Sequence, residues 1–252
     1  MPHAENQRSR SWYLDPLAAR QKQQAHLELV ARWAGKGDGR LLKTDLFEEA
    51  NGADQLLFDL CGDYGRALGF DHDFATVAQA SLRRPDGAAI SFLACDARCI
   101  PLETGCIDVV VSNSTLDHFQ KKSDFAVALE ELARILRPGG VLILTLDNPL
   151  NPLYWPLRWL SPAGPFRLGY TPLPSELRRQ LNRARLEVVD SASLIHNPRV
   201  VSTLLFLAIR RVLGQRADPA IRGMLRCFAA LGSLPTRRFT CCFYAVAARR
   251  RD

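Results

Sequence analysis

Gly69-Phe70-Asp71-His72-Asp73, with Ala80 nine residues beyond Asp71, is the stretch whose reading decides the fold. A short apolar run, Ala67 to Phe70, ends in a glycine and a carboxylate, and a helical pattern, Phe74 to Arg83, begins at once. The same punctuation recurs at Cys95-Asp96-Ala97, after the apolar run Ile90 to Ala94. At Leu136-Arg137-Pro138-Gly139-Gly140 a helix stops and the chain turns into Val141 to Leu146. Each stretch lies at the C-terminal end of a strand or just before one, which is where open parallel sheets bind their ligands. A carboxylate at the end of the second strand can accept from both vicinal hydroxyls of a ribose, and Asp71 stands there. Gly69 lets the backbone approach such a ligand. At the end of the third strand, Asp96 can accept from an adenine amino group while the amide of Ala97 donates to a ring nitrogen. The spacing therefore points to a nucleoside-type ligand.

Outward from these stretches, strands and helices alternate. Leu14 to Trp33 has helical periodicity, stopped by Lys36-Gly37-Asp38-Gly39. Arg40 to Thr44 reads as the first strand, Leu46 to Leu60 as a helix, Ile107 to Ser112 as a buried fourth strand, and Asp124 to Leu136 as a strong helix. Further on, Ser175 to Arg185, capped by Ser175, is a helix, Leu186 to Val189 a strand, Val200 to Leu213 and Ile221 to Leu231 helices, and Phe239 to Ala247 a last strand. This pitch implies βαβ units on a parallel sheet: an α/β, Rossmann-like, doubly wound fold with helices on both faces. The expected organisation over 1–252 is one domain: an N-terminal helix at 14–36, a ligand-binding core at 40–147, a lid or substrate loop at 148–174, and a C-terminal part at 175–252 that completes the sheet.

Composition narrows the function classes. With 47% hydrophobic and 23% charged residues, a full core is expected and disorder is not. No apolar run approaches the roughly 18 residues of a membrane span, and the polar N-terminus lacks a signal-peptide pattern, so a cytoplasmic location is expected. Seven cysteines without a Cys-x-x-Cys pair read as reduced thiols, with no metal site. The net charge of +7 is uneven: Leu177 to Asp252 holds 15 Arg, no Lys and four acids, a surplus of 11. Such a face suits phosphates, nucleic acid or anionic lipid, or serves as a solvated surface.

Taken together, Gly69-Phe70-Asp71 with Ala80, Asp96-Ala97 followed by Pro101-Leu102, Ile107-Asp108-Val109-Val110, and Leu136 to Gly140 resemble the class I S-adenosylmethionine-dependent methyltransferases. The resemblance covers roughly Arg40 to Asp147. It implies a seven-stranded sheet with an antiparallel last strand, S-adenosylmethionine as cofactor, and methyl transfer to a nucleophile. Carried over by position, it assigns Asp71 to the ribose and Asp96 to the adenine.

One place departs from that pattern. Where the family has a loop of the Asp-x-Gly-x-Gly-x-Gly sort, this chain reads Lys43-Thr44-Asp45-Leu46-Phe47-Glu48-Glu49. The similar-looking Asp59 to Gly65 lies too close to Asp71 to be that loop. Lys43, Thr44 and Asp45 are thus the candidates at the first strand's end, with the amides of Leu46 and Phe47 facing the ligand and Asp45 or Glu48 pairing with its ammonium or sulfonium. A plain helix cap by Thr44 or Asp45 is the alternative. His72, beside Asp71, and Ser112 and Asn113, ending the fourth strand, complete the candidate cofactor contacts.

His118 follows the fourth strand and is the candidate general base, since a histidine ordinarily titrates near neutrality; capping or shielding is its other role. Tyr154, Trp155, Trp159, Phe166 and Tyr170, with Arg158 and Arg167, make an aromatic-basic lid or a satellite core. Asp147-Asn148-Pro149-Leu150 is expected at the substrate entrance, and His196 to Arg199 in a surface turn. The expected activity is methyl transfer to a small-molecule or lipid-like acceptor, with possible peripheral membrane contact. A non-catalytic nucleoside-binding domain and a nucleic-acid methyltransferase remain as alternatives.

Overall fold

The computed structural model describes residues 15–52, 54–160 and 168–252. Strands β1 (Gly37–Thr44), β2 (Tyr64–Asp71), β3 (Ile90–Ala94), β4 (Ile107–Asn113), β5 (Leu136–Asp147), β6 (Leu186–Leu194) and β7 (Phe243–Arg250) form one seven-stranded sheet in the order β3-β2-β1-β4-β5-β7-β6. β1 to β5 pair in parallel, and β7 runs antiparallel between β5 and β6. β6 therefore points the same way as β1 to β5, and its end lies on the same edge as theirs.

Alternation along the strands builds the two layers. Leu42, Val110, Leu142 and Leu144 pack with helix α5 (Lys122–Ile135) and helix α7 (Pro174–Arg183). Their neighbours Leu41, Val109, Val111, Val141 and Ile143 face the other side, against α1 (Pro16–Trp33), α3 (Leu56–Leu60) and α4 (Phe74–Leu82). Asp15 caps α1 by accepting from the Leu17 amide at 2.9 Å, and Pro16 supplies the preset φ of a first helical residue. Asp15 also pairs with Arg210, tying α1 to helix α8 (Arg199–Leu213). Phe206 of α8 and Ile221 and Leu225 of α9 (Ala217–Ala230) close a separate small core on Ala18.

Several expected boundaries move. The expected single helix from Leu46 to Leu60 is two short ones, α2 (Phe47–Asn51) and α3, because Gly52 ends α2 at φ 78°. β5 starts at Leu136 rather than Val141, with Gly139 at φ 76° absorbed into the strand. β7 starts at Phe243, not Phe239, since Arg237–Thr240 forms a helical turn, α10; Cys241 and Cys242 precede the strand. Ser175 lies inside α7, whose Pro174 starts the helix without a side-chain cap. Among the described residues no helix is long and apolar enough to cross a membrane.

Candidate functional site

Strand register assembles the C-terminal edge. Thr44 stands opposite Phe70 on one side and Ser112 on the other, Asp71 opposite Ala94, and Asn113 opposite Thr145. Asp71 is buried. Its Oδ2 accepts from the Leu46 amide at 3.0 Å and its Oδ1 from the Asp73 amide at 2.9 Å, with the exposed His72 ring 3.1 Å away. Each oxygen keeps lone-pair capacity for a further donor. Asp96 sits two residues past Ala94 and is half-buried; Arg98 donates to it at 2.6 Å and through its own amide at 2.8 Å. Those bonds hold the Asp96 carboxyl below its ordinary range. The Arg98 guanidinium also lies 5.5 Å over the Phe119 ring, so it links the ends of β3 and β4. Ala97 is buried beside it.

The first loop is built differently from the expected cradle. Asp45 has φ 65°, a left-handed conformation that favours glycine, so the turn is kept while the residue is not. Lys43 is sealed inside, with Nζ 2.9 Å from Glu49 Oε2 and 3.7 Å from Glu48 Oε2, and it donates to the Asp45 carbonyl. Burial alone would lower the Lys43 pKa; Glu49, with Glu48 and Asp45, outweighs it and holds the amine above its ordinary value. Glu48 is paired with Lys22 at 2.9 Å, and although burial opposes it, Lys22 and Lys43 bring its pKa down to about 2. Asp45 goes the other way, pushed up to about 7 by burial and then by Glu48. The expectation that the Leu46 and Phe47 amides face a ligand is corrected: Leu46 donates to Asp71, and Phe47 to Asp45 Oδ1 at 2.8 Å. Gly69 is corrected too. A Cβ there would meet Leu46 Cδ2 at 2.5 Å and Leu57 Cδ2 at 2.6 Å, so its missing side chain admits this loop rather than a ligand. Lys43, Thr44 and Ser112 lie beneath the edge. Thr44 Oγ1 bonds Ser112 Oγ at 3.1 Å and Thr115 Oγ1 at 2.5 Å, fixing β1 to the end of β4.

Past β4, Asn113 Oδ1 and Ser114 Oγ are buried with no hydrogen-bond partner among the described residues, and Ser114 has φ 50°. Buried polar atoms are seldom left so. His118 is exposed at the end of the turn Leu116–His118. Its neighbour Asp117, which sequence reasoning passed over, is buried and accepts from the Asp147 amide at 2.8 Å. The signal for it was present: a carboxylate four residues past the fourth strand.

Two inserts cap this edge. The first follows β5 and contains α6 (Tyr154–Leu160); the second runs from β6 to β7. Asn148 Nδ2 donates to the Arg238 carbonyl at 2.7 Å and Asn151 Nδ2 to the Cys241 carbonyl at 3.0 Å, joining one insert to the other. Between them lies a small cavity lined by Asp147, Asn148, Tyr154, Leu157, Leu168 and Cys242. Gly169 and Tyr170 donate to the carbonyls of Asp117 and Phe119 at 2.9 and 2.6 Å, and the Tyr170 ring meets Phe125 edge-on at 5.6 Å. Of the aromatic-basic group, Phe166 and Arg167 lie outside the described residues; Tyr154 is buried, whereas Trp155 and Trp159 are exposed. His196 bonds Thr240 at 2.8 Å in the second insert, away from the strand-end carboxylates in sequence and bonding.

S-adenosylmethionine presents ribose hydroxyls, an adenine amino group, an ammonium and a sulfonium. The edge answers with acceptors: Asp71, Asp96, Asn113 Oδ1 and Ser114 Oγ. That set of acceptors fits the cofactor.

Comparison with known proteins agrees. The methyltransferase domain family model matches residues 50–144. A probable S-adenosylmethionine-dependent methyltransferase of Mycolicibacterium smegmatis is 30% identical over 149 residues, 55% of this chain and 50% of that protein. The demethylmenaquinone methyltransferase of Lactococcus lactis is 30% identical over 122 residues, 46% of this chain and 47% of that protein. The chain thus spans about half the length of the curated relatives it matches. Among solved structures, the [4+2]-cyclase SpnF superposes with a TM-score of 0.60 at 21% identity, covering 93% of this chain and 81% of that one, a likeness of fold. With the sheet order and the strand-end carboxylates around it, the stretch 50–144 matches a methyltransferase domain, and the chain is similar to the class I S-adenosylmethionine-dependent methyltransferases.

Proposed function

We propose that the chain transfers a methyl group from S-adenosylmethionine to a small, lipid-like acceptor, in the cytoplasm. The observation that carries this reading is the row of acceptors at the ends of β2, β3 and β4, on the edge where a small, partly apolar cavity lies at the end of β5 under the two inserts. Asp71 takes the ribose, with His72 over its open side. Asp96 and Ala97 take the adenine. Asn113, Ser114 and Asp45 face the amino-acid end and its sulfonium, while Lys43, Thr44 and Ser112 hold those groups in place from beneath. When bound, the cofactor supplies an electrophilic methyl group; the protein's contribution is proximity and alignment. His118, exposed at the rim, takes the proton from a hydroxyl acceptor. The relative named for demethylmenaquinone supports an apolar acceptor.

Calorimetric titration with S-adenosylmethionine and its demethylated product tests the first half. Micromolar binding of both is expected, and no binding of either would remove the reading. A screen of apolar hydroxylated acceptors, read by product formation, tests the second half. One observation favours a second reading, a nucleoside-binding protein without transfer: after the first strand the chain has no glycine before Gly52. Cofactor binding with no turnover on any acceptor would select it.

A further inference from the structure

We propose that the two inserts form a docking face for an anionic lipid bilayer, with the outer stripe of α8 and the exposed tryptophans of α6 seated in the interface. Topology places both inserts together. The first leaves the C-terminal end of β5, the second leaves the C-terminal end of β6 and returns at the start of β7, and all three points lie on the edge that carries Asp71 and Asp96. Asn148 and Asn151 bond them into one cap.

The cap exposes apolar side chains in a pattern. On α8, Val201, Leu204, Leu205, Ala208 and Val212 recur at helical spacing within a stripe roughly 100° wide, and all are exposed, Leu204 to 60% and Val212 to 81%. The opposite side of the same helix is the buried one, through Ser202 and Phe206. A helix with apolar residues on both its core side and its outer side has a second surface to cover. Trp159 on α6 is 83% exposed, and Phe239 and Leu234 stand out near the return to β7. Tryptophan and leucine suit the headgroup boundary of a bilayer, whereas water favours neither.

Charge selects the lipid. Positions 195–242 hold eight Arg, one Asp and no Lys or Glu, and 148–174 hold two Arg and no acid. The cap thus carries a surplus of nine on a chain whose net charge is +7, so the remainder is slightly acidic. Asp218, the one acid, is engaged by Arg210 at 3.0 Å and by Arg222 at 3.7 Å. Arg211 borders the apolar stripe, and Arg222 and Arg226 lie exposed on α9, which packs against α8. Apolar side chains fringed by guanidinium groups in excess of acids complement anionic headgroups over an acyl core. The proposal deepens the preceding reading, on which it rests for its purpose: a lipid-like acceptor would reach the cavity between the inserts from the membrane without crossing water.

The test is co-sedimentation of the full chain with vesicles of phosphatidylcholine containing one quarter phosphatidylglycerol, at about 0.1 M salt and with neither cofactor nor acceptor present. Binding is expected. It should weaken at least about tenfold on pure phosphatidylcholine and again in Leu204→Glu/Val212→Glu. Arg222→Glu/Arg226→Glu should also weaken it, and because these side chains are exposed this second variant serves if the first does not fold. Circular dichroism melting checks folding in each. No binding to anionic vesicles overturns the proposal, as does equal binding to neutral ones or undiminished binding by both folded variants. A wild-type dimer in light scattering that Leu204→Glu/Val212→Glu dissociates would give the face to a second copy of the chain and overturn it too. Because the assay contains no cofactor, its failure leaves methyl transfer untouched, and failure of the cofactor titration leaves vesicle binding to be read by itself.

Discussion

Lys43 Nζ and Glu49 Oε2 face each other at 2.9 Å, both side chains sealed from solvent, across the loop that follows β1. Glu49 does more than neutralise the lysine: its Oε1 accepts from the Leu57 amide at 2.8 Å, so it also joins α2 to α3. Removing one partner strands a buried charge. Lys43→Met or Glu49→Gln should each cost about 3–5 kcal/mol in urea denaturation, and Lys43→Met/Glu49→Met distinctly less than the sum.

Asp71 is the carboxylate proposed above to hold the ribose. Asp71→Asn keeps an oxygen for the Leu46 amide but loses the charge. Titration calorimetry should show S-adenosylmethionine affinity lowered by about 1.5–3 kcal/mol, and the melting temperature should fall as well, since the new NH2 group cannot accept from the Asp73 amide. Unchanged affinity would take the ribose away from Asp71.

The loop makes stability depend on pH. The Asp45 carboxyl, raised to about 7 by burial and Glu48, binds its proton more tightly in the folded state than in the unfolded chain. Its contribution is therefore complete below the ordinary aspartate range and is lost as pH rises through 7. Asp54, raised to about 6 chiefly by burial, adds the same sign. His26, lowered to about 4 by burial, acts oppositely. The informative quantity is the difference between wild type and Asp45→Asn: wild type should lose stability relative to the variant between about pH 4 and 7. A flat difference curve would contradict the raised carboxyl.

Gly169 passes the 117–119 turn so closely that a Cβ would strike the carbonyls of Asp117 and Phe119. Those are backbone atoms and cannot swing aside. Gly169→Ala should cost about 1–3 kcal/mol and loosen the first insert, visible as faster proteolysis within 148–170.

For His118 the expectation concerns rate alone. His118→Ala should leave cofactor affinity as it is, since the ring is exposed beyond the strand-end carboxylates, and should lower turnover on a hydroxyl acceptor by about 10²-fold or more. Intact turnover would end its role as base.

The sheet was readable because its cues are local. Alternating strands such as Val109-Val110-Val111 sort themselves to opposite layers, and Asp71 and Asp96 follow their strands directly. The first loop was not readable, for physical reasons that span residues. Nothing in Lys43 alone says that its partner is Glu49, six positions on, because the pairing depends on Asp45 turning at φ 65°. Gly69 looked like a place of ligand approach, yet the side chains that need its space, Leu46 and Leu57, come from the same unforeseen loop. Asn113 was expected at the site from its place at the strand end, whereas Ser114 showed its value only when the fold left its oxygen buried without a partner among the described residues.

A glycine loop is loose until a ligand gathers its amides, and its ordering then counts against binding. Here Lys43, Glu48, Glu49 and Lys22 fasten the corresponding segment during folding, before any nucleoside arrives. The entropy of ordering that segment belongs to the folding reaction, so the protein presents a preorganised receptor whose association need not wait for a loop to settle.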